Sequence, residues 1–521
     1  MHSKAMMALV FVLILSVLPT LADQNQFKKA FNDLDNELNK SNHYSDKQEQ
    51  SFDEFRQTQE TAFRDFRDAR DRDFSAFLKT EWEAFAEMQG LVNDTTPKPK
   101  VIPKASEKPD DNSVISKGKR VKPIEPLSKT PYEALTHPGA IPKPKSEPST
   151  EPQPQLYGAM VNVMFYGLPL KVVYDPALTA TVSRQVNNHA ISNYWALLSR
   201  GDYEGLIFRL GHIKDQLLLN DWGFFQFVNS FANTIQADTN SATLLTWFVL
   251  TKSGYRVKVG YNQNNIYLLA PAQCDIYEAP YYAVNGARFY NISYLANQRK
   301  PGLIYTFKKE YPGAERLLTL QLRTTPMTLA DKNVKKLKFS YKGRTYTVPA
   351  VFNPNTVRFY QSYPQTNWEI YLSAHLAPET ETGLVSALGK VVEGKSETEA
   401  ANMLLRFVQT AFKYKTDDDQ FGYEKYMFAE ETISSPYSDC EDRATLFSSL
   451  VRRILGLNVI GLHYPGHVAT AVNFSEHVPG DAVKVNGKRY VVCDPTYINA
   501  NIGMAMPQFK RVRPEVIRGD L

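Results

Sequence analysis

The sequence predicts an α+β protein in which one mixed domain occurs twice, behind a long helix and a Pro-rich linker. Three observations lead there. Aromatic residues recur every eleven positions in the first hundred residues. Thirteen of the 31 prolines fall between 93 and 155. Beyond 157, strand-like, helix-like and strand-like stretches follow one another and then repeat, an order expected of α+β domains.

In chain order, residues 1–22 read as a secretory signal. His2 and Lys4 precede an apolar run from Ala5 to Val17, and Pro19, Thr20 and Ala22 suit processing after Ala22. The run is short for a membrane span. The expectation is an exported protein, periplasmic or extracellular. A net charge of +5 over 521 residues gives no reason to expect a nucleic-acid partner. Only Cys274, Cys440 and Cys493 occur, so at least one thiol is unpaired if all disulfides are intramolecular.

Residues 23–93 read as a helical coiled-coil segment. Phe52 and Phe55, Phe63 and Phe66, Phe74 and Phe77, then Phe85 and Met88 are pairs three apart repeating after eleven. Eleven residues in three turns match a nearly straight helix. A single helix cannot bury such a stripe, which predicts self-association, with docking to a different protein as the rival. Residues 94–156 read as a disordered linker. Pro97-Lys98-Pro99 and Pro142-Lys143-Pro144 favour extended backbone, a basic spacer able to touch an anionic surface.

Two globular domains are expected, 157–327 and 328–521. Ala242-Thr243-Leu244 aligns with Ala444-Thr445-Leu446, and without a gap Gly254 meets Gly456. Val284-Asn285-Gly286 aligns with Val485-Asn486-Gly487 one residue out of the first offset. Two ordered blocks at nearly one spacing indicate duplication.

The chemistry lies in the second copy. Tyr437-Ser438-Asp439-Cys440-Glu441-Asp442 precedes the stripe Ala444, Phe447, Leu450, Val451, Ile454, which has helical spacing and ends at Gly456. Cys440 is thus expected at a helix N-terminus, where N–H groups favour a thiolate and the adjacent carboxylates oppose it. His467 opens a strand after the Pro465-Gly466 turn, and Asp494 leaves a strand that follows the Asn486-Gly487 hairpin. Such elements allow Cys440 as nucleophile, His467 as base and Asp494 as the group orienting the base. His463, before the turn, is expected to face elsewhere; Cys493 reads as structural.

These residues resemble the transglutaminase-like superfamily, which shares the papain-like cysteine protease architecture, in its exported bacterial type. Asp439-Cys440-Glu441-Asp442, Leu455-Gly456-Leu457, Gly466-His467 and Asp494-Pro495-Thr496 carry the likeness, and Val468-Ala469 departs from it where many members have an aromatic. The resemblance implies catalytic Cys440, His467 and Asp494, acting on an amide or ester carbonyl through a thioester. A peptide, protein or cell-wall amide is the expected substrate, and protease, peptidase or amidase the expected activity. A crosslinking transamidase and a non-catalytic periplasmic scaffold are the alternatives. No cofactor is required, but Asp439, Glu441 and Asp442 resemble an acidic motif used with Ca2+. The first copy aligns Asp238, Asn265 and Ser293 with the three catalytic positions and reads as degenerate.

Overall fold

The computed structural model describes residues 46–93, 96, 98–105, 119–124, 158–183, 185–263, 265–293 and 301–519. The expected leader and the start of the helical segment lie outside them. No helix among the described residues is long and apolar enough to cross a membrane.

The aromatic stripe forms helix α1 (Asp46–Phe77), but the helix stops there. Residues expected to continue it instead make strand β1 (Glu83–Phe85). Phe85 therefore packs at a sheet edge, and Met88 bridges to Tyr281, so neither belongs to a helical stripe. The end of the stripe is covered by the same chain. Phe74 is buried, edge-on to Trp195 at 4.8 Å and Tyr311 at 5.1 Å between ring centroids. Beneath it Asp71 pairs with Lys252, whose pKa burial lowers to about 7 against the pull of Asp71. Phe66, about two turns earlier on the stripe, is 64% exposed.

The first copy opens with a hairpin, β2 (Ala159–Phe165) and β3 (Leu168–Tyr174). Helices α2 (Asn188–Leu198), α3 (Tyr203–Gln216), α4 (Asp221–Ile235) and α5 (Thr239–Lys252) follow. Strands β4 (Lys258–Asn262), β5 (Asn265–Ala270), β6 (Tyr281–Val284), β7 (Ala287–Asn291) and β8 (Ile304–Thr306) complete it.

The second copy opens the same way, with β9 (Asn333–Tyr341) and β10 (Arg344–Phe352). Its helices include α6 (Pro354–Gln361), α7 (Trp368–Ser373), α8 (Ser386–Val392) and α9 (Glu397–Ala411). A parallel pair, β11 (Lys413–Tyr414) and β12 (Tyr437–Ser438), brackets α10 (Asp417–Phe421) and α11 (Ala429–Ser434). Helix α12 (Cys440–Leu455) leads into β13 (Asn458–Tyr464), β14 (His467–Asn473), β15 (Ala482–Val485), β16 (Lys488–Cys493) and β17 (Glu515–Arg518).

The two sheets share one strand order. It runs β8-β4-β5-β7-β6 in the first, with β1 added outside β8, and β17-β13-β14-β16-β15 in the second. Both carry an Asn-Gly turn with φ of 50° and 76°, the paired positive angles that a two-residue hairpin requires. The protein is α+β, as expected. The copies are not separate bodies, because the largest apolar cluster joins Phe74, Trp222 and Phe224 to Tyr371, Phe428, Cys440 and Val468.

Part of the expected disordered linker is packed. Ala105 and Val121 are buried. Residues 103–105 bridge to Ile498, with Ala105 N–H donating to the Ile498 carbonyl at 2.8 Å. Val121 exchanges backbone hydrogen bonds with Lys395 and Gly394, and Ile124 covers Gly389. Short apolar residues between prolines suffice here because the backbone partners are supplied by the domain, a long-range effect that composition does not reveal.

Candidate functional site

Helix α12 begins as its sequence dictates. Asp439 is the N-cap, and its N–H donates to Asp442 Oδ2 at 3.2 Å. Asp442 Oδ1 accepts from Met427 N–H at 3.0 Å, fixing the preceding segment. The buried Arg443 clamps the helix start, donating to Ser438 Oγ (3.1 Å) and to the carbonyls of Gln409 (3.2 Å) and Phe412 (2.9 Å). Burial lowers its pKa to about 10, although Tyr414 and Asp439 support the charge. Gly456, in the left-handed region, ends the helix.

Cys440 is the first residue of α12 and is 0% exposed, in the largest apolar cluster. Helix α12 packs against β14, and Cys440 joins the apolar cluster that the two copies share. The thiol donates to Glu441 Oε2 at 3.1 Å, and the Val468 N–H points at the sulfur. Burial holds the thiol pKa well above its usual value; Lys98 opposes the shift and Asp439 adds to it.

His467 and Asp494 meet as expected. Nε2 of His467 lies 2.8 Å from Asp494 Oδ2, and Oδ1 of Asp494 accepts from the N–H groups of Thr496 (2.9 Å) and Tyr497 (3.0 Å). The imidazole stacks on Phe509, 5.0 Å between centroids and 12° between planes. Its Nδ1 is buried without a hydrogen-bond partner among the described residues. The turn after Asp494 is held by Gln409, whose Nε2 donates to the carbonyls of Asp494, Tyr497 and Ala500 at 3.0, 2.8 and 3.0 Å. His463 faces away, 3.8 Å from Glu515. Thus His467, Asp494 and Cys440 share one corner, but the thiol hydrogen bond goes to Glu441, not to His467.

The three acids expected as a calcium set divide between two overlapping groups. Oxygens of Asp417, Asp439 and Asp442 lie within 4.8 Å of one another, and so do those of Glu424, Asp439 and Glu441. In the first group all three carboxyls are pushed up, by burial first; Asp439 then raises the other two. Asp417 Oδ1 has no hydrogen-bond partner among the described residues. The second group holds a cation from the chain itself: the Lys98 ammonium contacts Glu424 and Glu441 and lies 3.8 Å from Asp439 Oδ2. Burial disfavours the Lys98 charge, but Asp439, Cys440 and Glu424 hold its pKa well above the usual value.

Sequence reading missed Lys98, Tyr414, Asp417, Glu424 and Phe509. Tyr414 faces Ser438 across the β11–β12 pair, and its hydroxyl is buried without a hydrogen-bond partner among the described residues. Burial, then the nearby Cys440, raises its pKa. Lys98 had a faint signal, a lysine between two prolines in a segment otherwise read as tether.

In the first copy the corresponding residues serve the fold. Asp238 caps α5, accepting from Ser241 N–H at 2.9 Å; Asn265 opens β5; Ser293 Oγ accepts from Leu268 N–H at 2.6 Å. All three cysteines are free thiols. No family model, curated protein or solved structure matches the chain.

Proposed function

We propose that this protein is a cysteine-dependent acyl-transfer enzyme with a duplicated transglutaminase-like, papain-like core, the second copy active. The observation that carries the reading is the His467–Asp494 pair. Its 2.8 Å contact fixes the imidazole through Nε2 and leaves Nδ1 buried without a hydrogen-bond partner among the described residues, in the residue next to Val468, whose N–H points at the Cys440 sulfur. A buried polar nitrogen without a partner is costly in a purely structural role.

In the proposed reaction a side-chain rotation takes the thiol from Glu441 to His467. Nδ1 accepts the thiol proton as sulfur attacks an amide or ester carbonyl, and Asp494 stabilises the imidazolium. The Cys440 N–H, at the first helical position, has no intrahelical acceptor and faces the developing oxyanion. The Tyr414 hydroxyl is the second donor. The imidazolium then returns its proton to the leaving amine or alkoxide, giving a thioester. Water resolves the thioester in a peptidase or amidase, our preferred reading; an amine resolves it in a transamidase. A scaffold reading draws on one observation, the complete burial of Cys440. Export rests on the sequence of residues 1–22, and self-association on the exposed Phe66.

The deciding experiment is the pH profile of iodoacetamide labelling at Cys440, read by peptide mass spectrometry, in wild type and His467→Ala. The profile, not the absolute rate, is informative, because only open molecules react. Labelling that persists well below the free-thiol pKa of about 8.5 and disappears there in His467→Ala is expected of a Cys–His pair. Identical profiles in both proteins would leave the scaffold.

Calcium has a chemically suitable home in Asp417, Asp439 and Asp442: three buried carboxylates with raised pKa values, three of whose oxygens (Asp417 Oδ1 and both of Asp439) have no hydrogen-bond partner among the described residues. A bound hard cation would offset their mutual repulsion. Millimolar Ca2+ is therefore expected to raise the Tm and chelator to lower it, with the effect lost in Asp417→Asn. A Tm indifferent to both would remove the metal.

A further inference from the structure

The acid group beside the thiol already contains a ligand. Lys98 enters from a segment 326 residues away from Glu424, and its side chain is 4% exposed. Asp439 and Glu441, the immediate neighbours of Cys440, are 0% and 1% exposed. Three separate carboxylates surround one ammonium. That arrangement suits the three divergent donors of a lysine; an arginine fork is satisfied by two oxygens of a single carboxylate.

The chain carrying Lys98 runs from this pocket to the other end of the site. Pro103 and Ala105 make backbone hydrogen bonds with Ile498 (3.1 and 2.8 Å), and Ala105 is buried against Tyr497, Ala500 and Met506. Tyr497 is one of the two residues whose N–H groups hold Asp494. Residues 98–105 therefore reach from the nucleophile's flanking acids to the loop of the orienting acid, and Cys440 beneath is 0% exposed. Pro97, Pro99 and Pro103 restrict the free chain to extended conformations, which lowers the entropy lost when it docks.

We propose that Glu424, Asp439 and Glu441 form a subsite for the lysine side chain of a peptide substrate, and that residues 98–105 keep this subsite shut by presenting Lys98 as an internal mimic. The inference rests on the acyl-transfer reading and assigns that site a substrate class and a form of self-inhibition. With the strap in place Glu441 is shared between the Lys98 ammonium and the thiol proton. When it leaves, an incoming lysine takes over the charge, and the carbonyl next to it reaches the sulfur.

The test uses the full chain and reads the rate of iodoacetamide labelling at Cys440 at pH 8. Lys98→Gln removes the cation. Ala105→Asp unseats the far anchor and leaves every pocket residue in place, so it carries the test if Lys98→Gln loses its near-UV dichroism. Both are expected to label at least tenfold faster than wild type. A synthetic peptide with the sequence of residues 96–105 should slow labelling of the Lys98→Gln protein, and the same peptide with glutamine in place of its first lysine should not.

Rates within twofold of wild type in the folded variants would overturn the strap. Equal protection by both peptides, or by neither, would overturn the lysine subsite. Failure of the enzyme reading looks different: variants that label fast with no dependence on His467 at any pH.

Discussion

At the scale of single residues, the site is a contest for one proton and one charge. Cys440 donates to Glu441 while Lys98 neutralises the acids around it, and burial keeps the thiol protonated. His467 is stacked on Phe509 and tied to Asp494, and its Nδ1 has no hydrogen-bond partner among the described residues. The Tyr414 hydroxyl is likewise buried without a hydrogen-bond partner among the described residues. If its hydroxyl is the second oxyanion donor, Tyr414→Phe in the Lys98→Gln background should lower kcat for hydrolysis of p-nitrophenyl acetate by about 10²-fold, the usual effect of removing one such donor. The same change should leave the pH profile of Cys440 labelling in place, because alkylation forms no oxyanion. Loss of labelling together with hydrolysis would instead make Tyr414 a packing residue of the helix start.

At the scale of elements, helix α1 divides its aromatic stripe between two uses. Phe74 lies inside the first copy's aromatic cluster and Phe66 lies outside it. Phe74→Ala should destabilise the protein by about 3–5 kcal/mol in denaturant unfolding, the range for a buried phenylalanine. Phe66→Ala should stay within about 0.5 kcal/mol. It should lower the mass in light scattering if α1 self-associates, and an unchanged mass would remove that partner. The elements legible in the sequence were those written in local chemistry. Asp439 and Gly456 bound α12, the Asn-Gly turns set both hairpins, and His467 and Asp494 fall on the strand ends assigned to them. Those that escaped are decided by distant partners. Strand β1 exists because β8 offers an edge, residues 98–105 are ordered by Ile498 and the acids, and Phe509 finds His467 across the sheet. The eleven-residue period could not say where its helix ends, since Phe85 serves a sheet edge as well as it would serve a stripe.

At the scale of the whole molecule, the two copies repeat one strand order but share one core. The cluster that buries Cys440, Ala444 and Val468 in the second copy also contains Trp222, Phe224 and Phe227 of the first. Tyr363 donates to the Leu320 carbonyl, and Asn220 donates to the Tyr363 hydroxyl at 2.7 Å. The first copy, with Asp238, Asn265 and Ser293 given over to capping and strand contacts, supplies much of the cluster in which Cys440 and Ala444 of α12 are buried. Residues 328–521 expressed alone would expose that face, an apolar area of the kind that drives aggregation when left open. The fragment is expected to lose near-UV dichroism and to label at Cys440 like an unfolded thiol, with no His467-dependent reactivity at low pH. Mixing it with a fragment spanning residues 46–327 should restore both signals, since the missing surface is then supplied in trans. A fragment that keeps a sharp unfolding transition and His467-dependent labelling by itself would show that the second copy is self-sufficient, and the shared cluster would then be a docking contact between two independent domains.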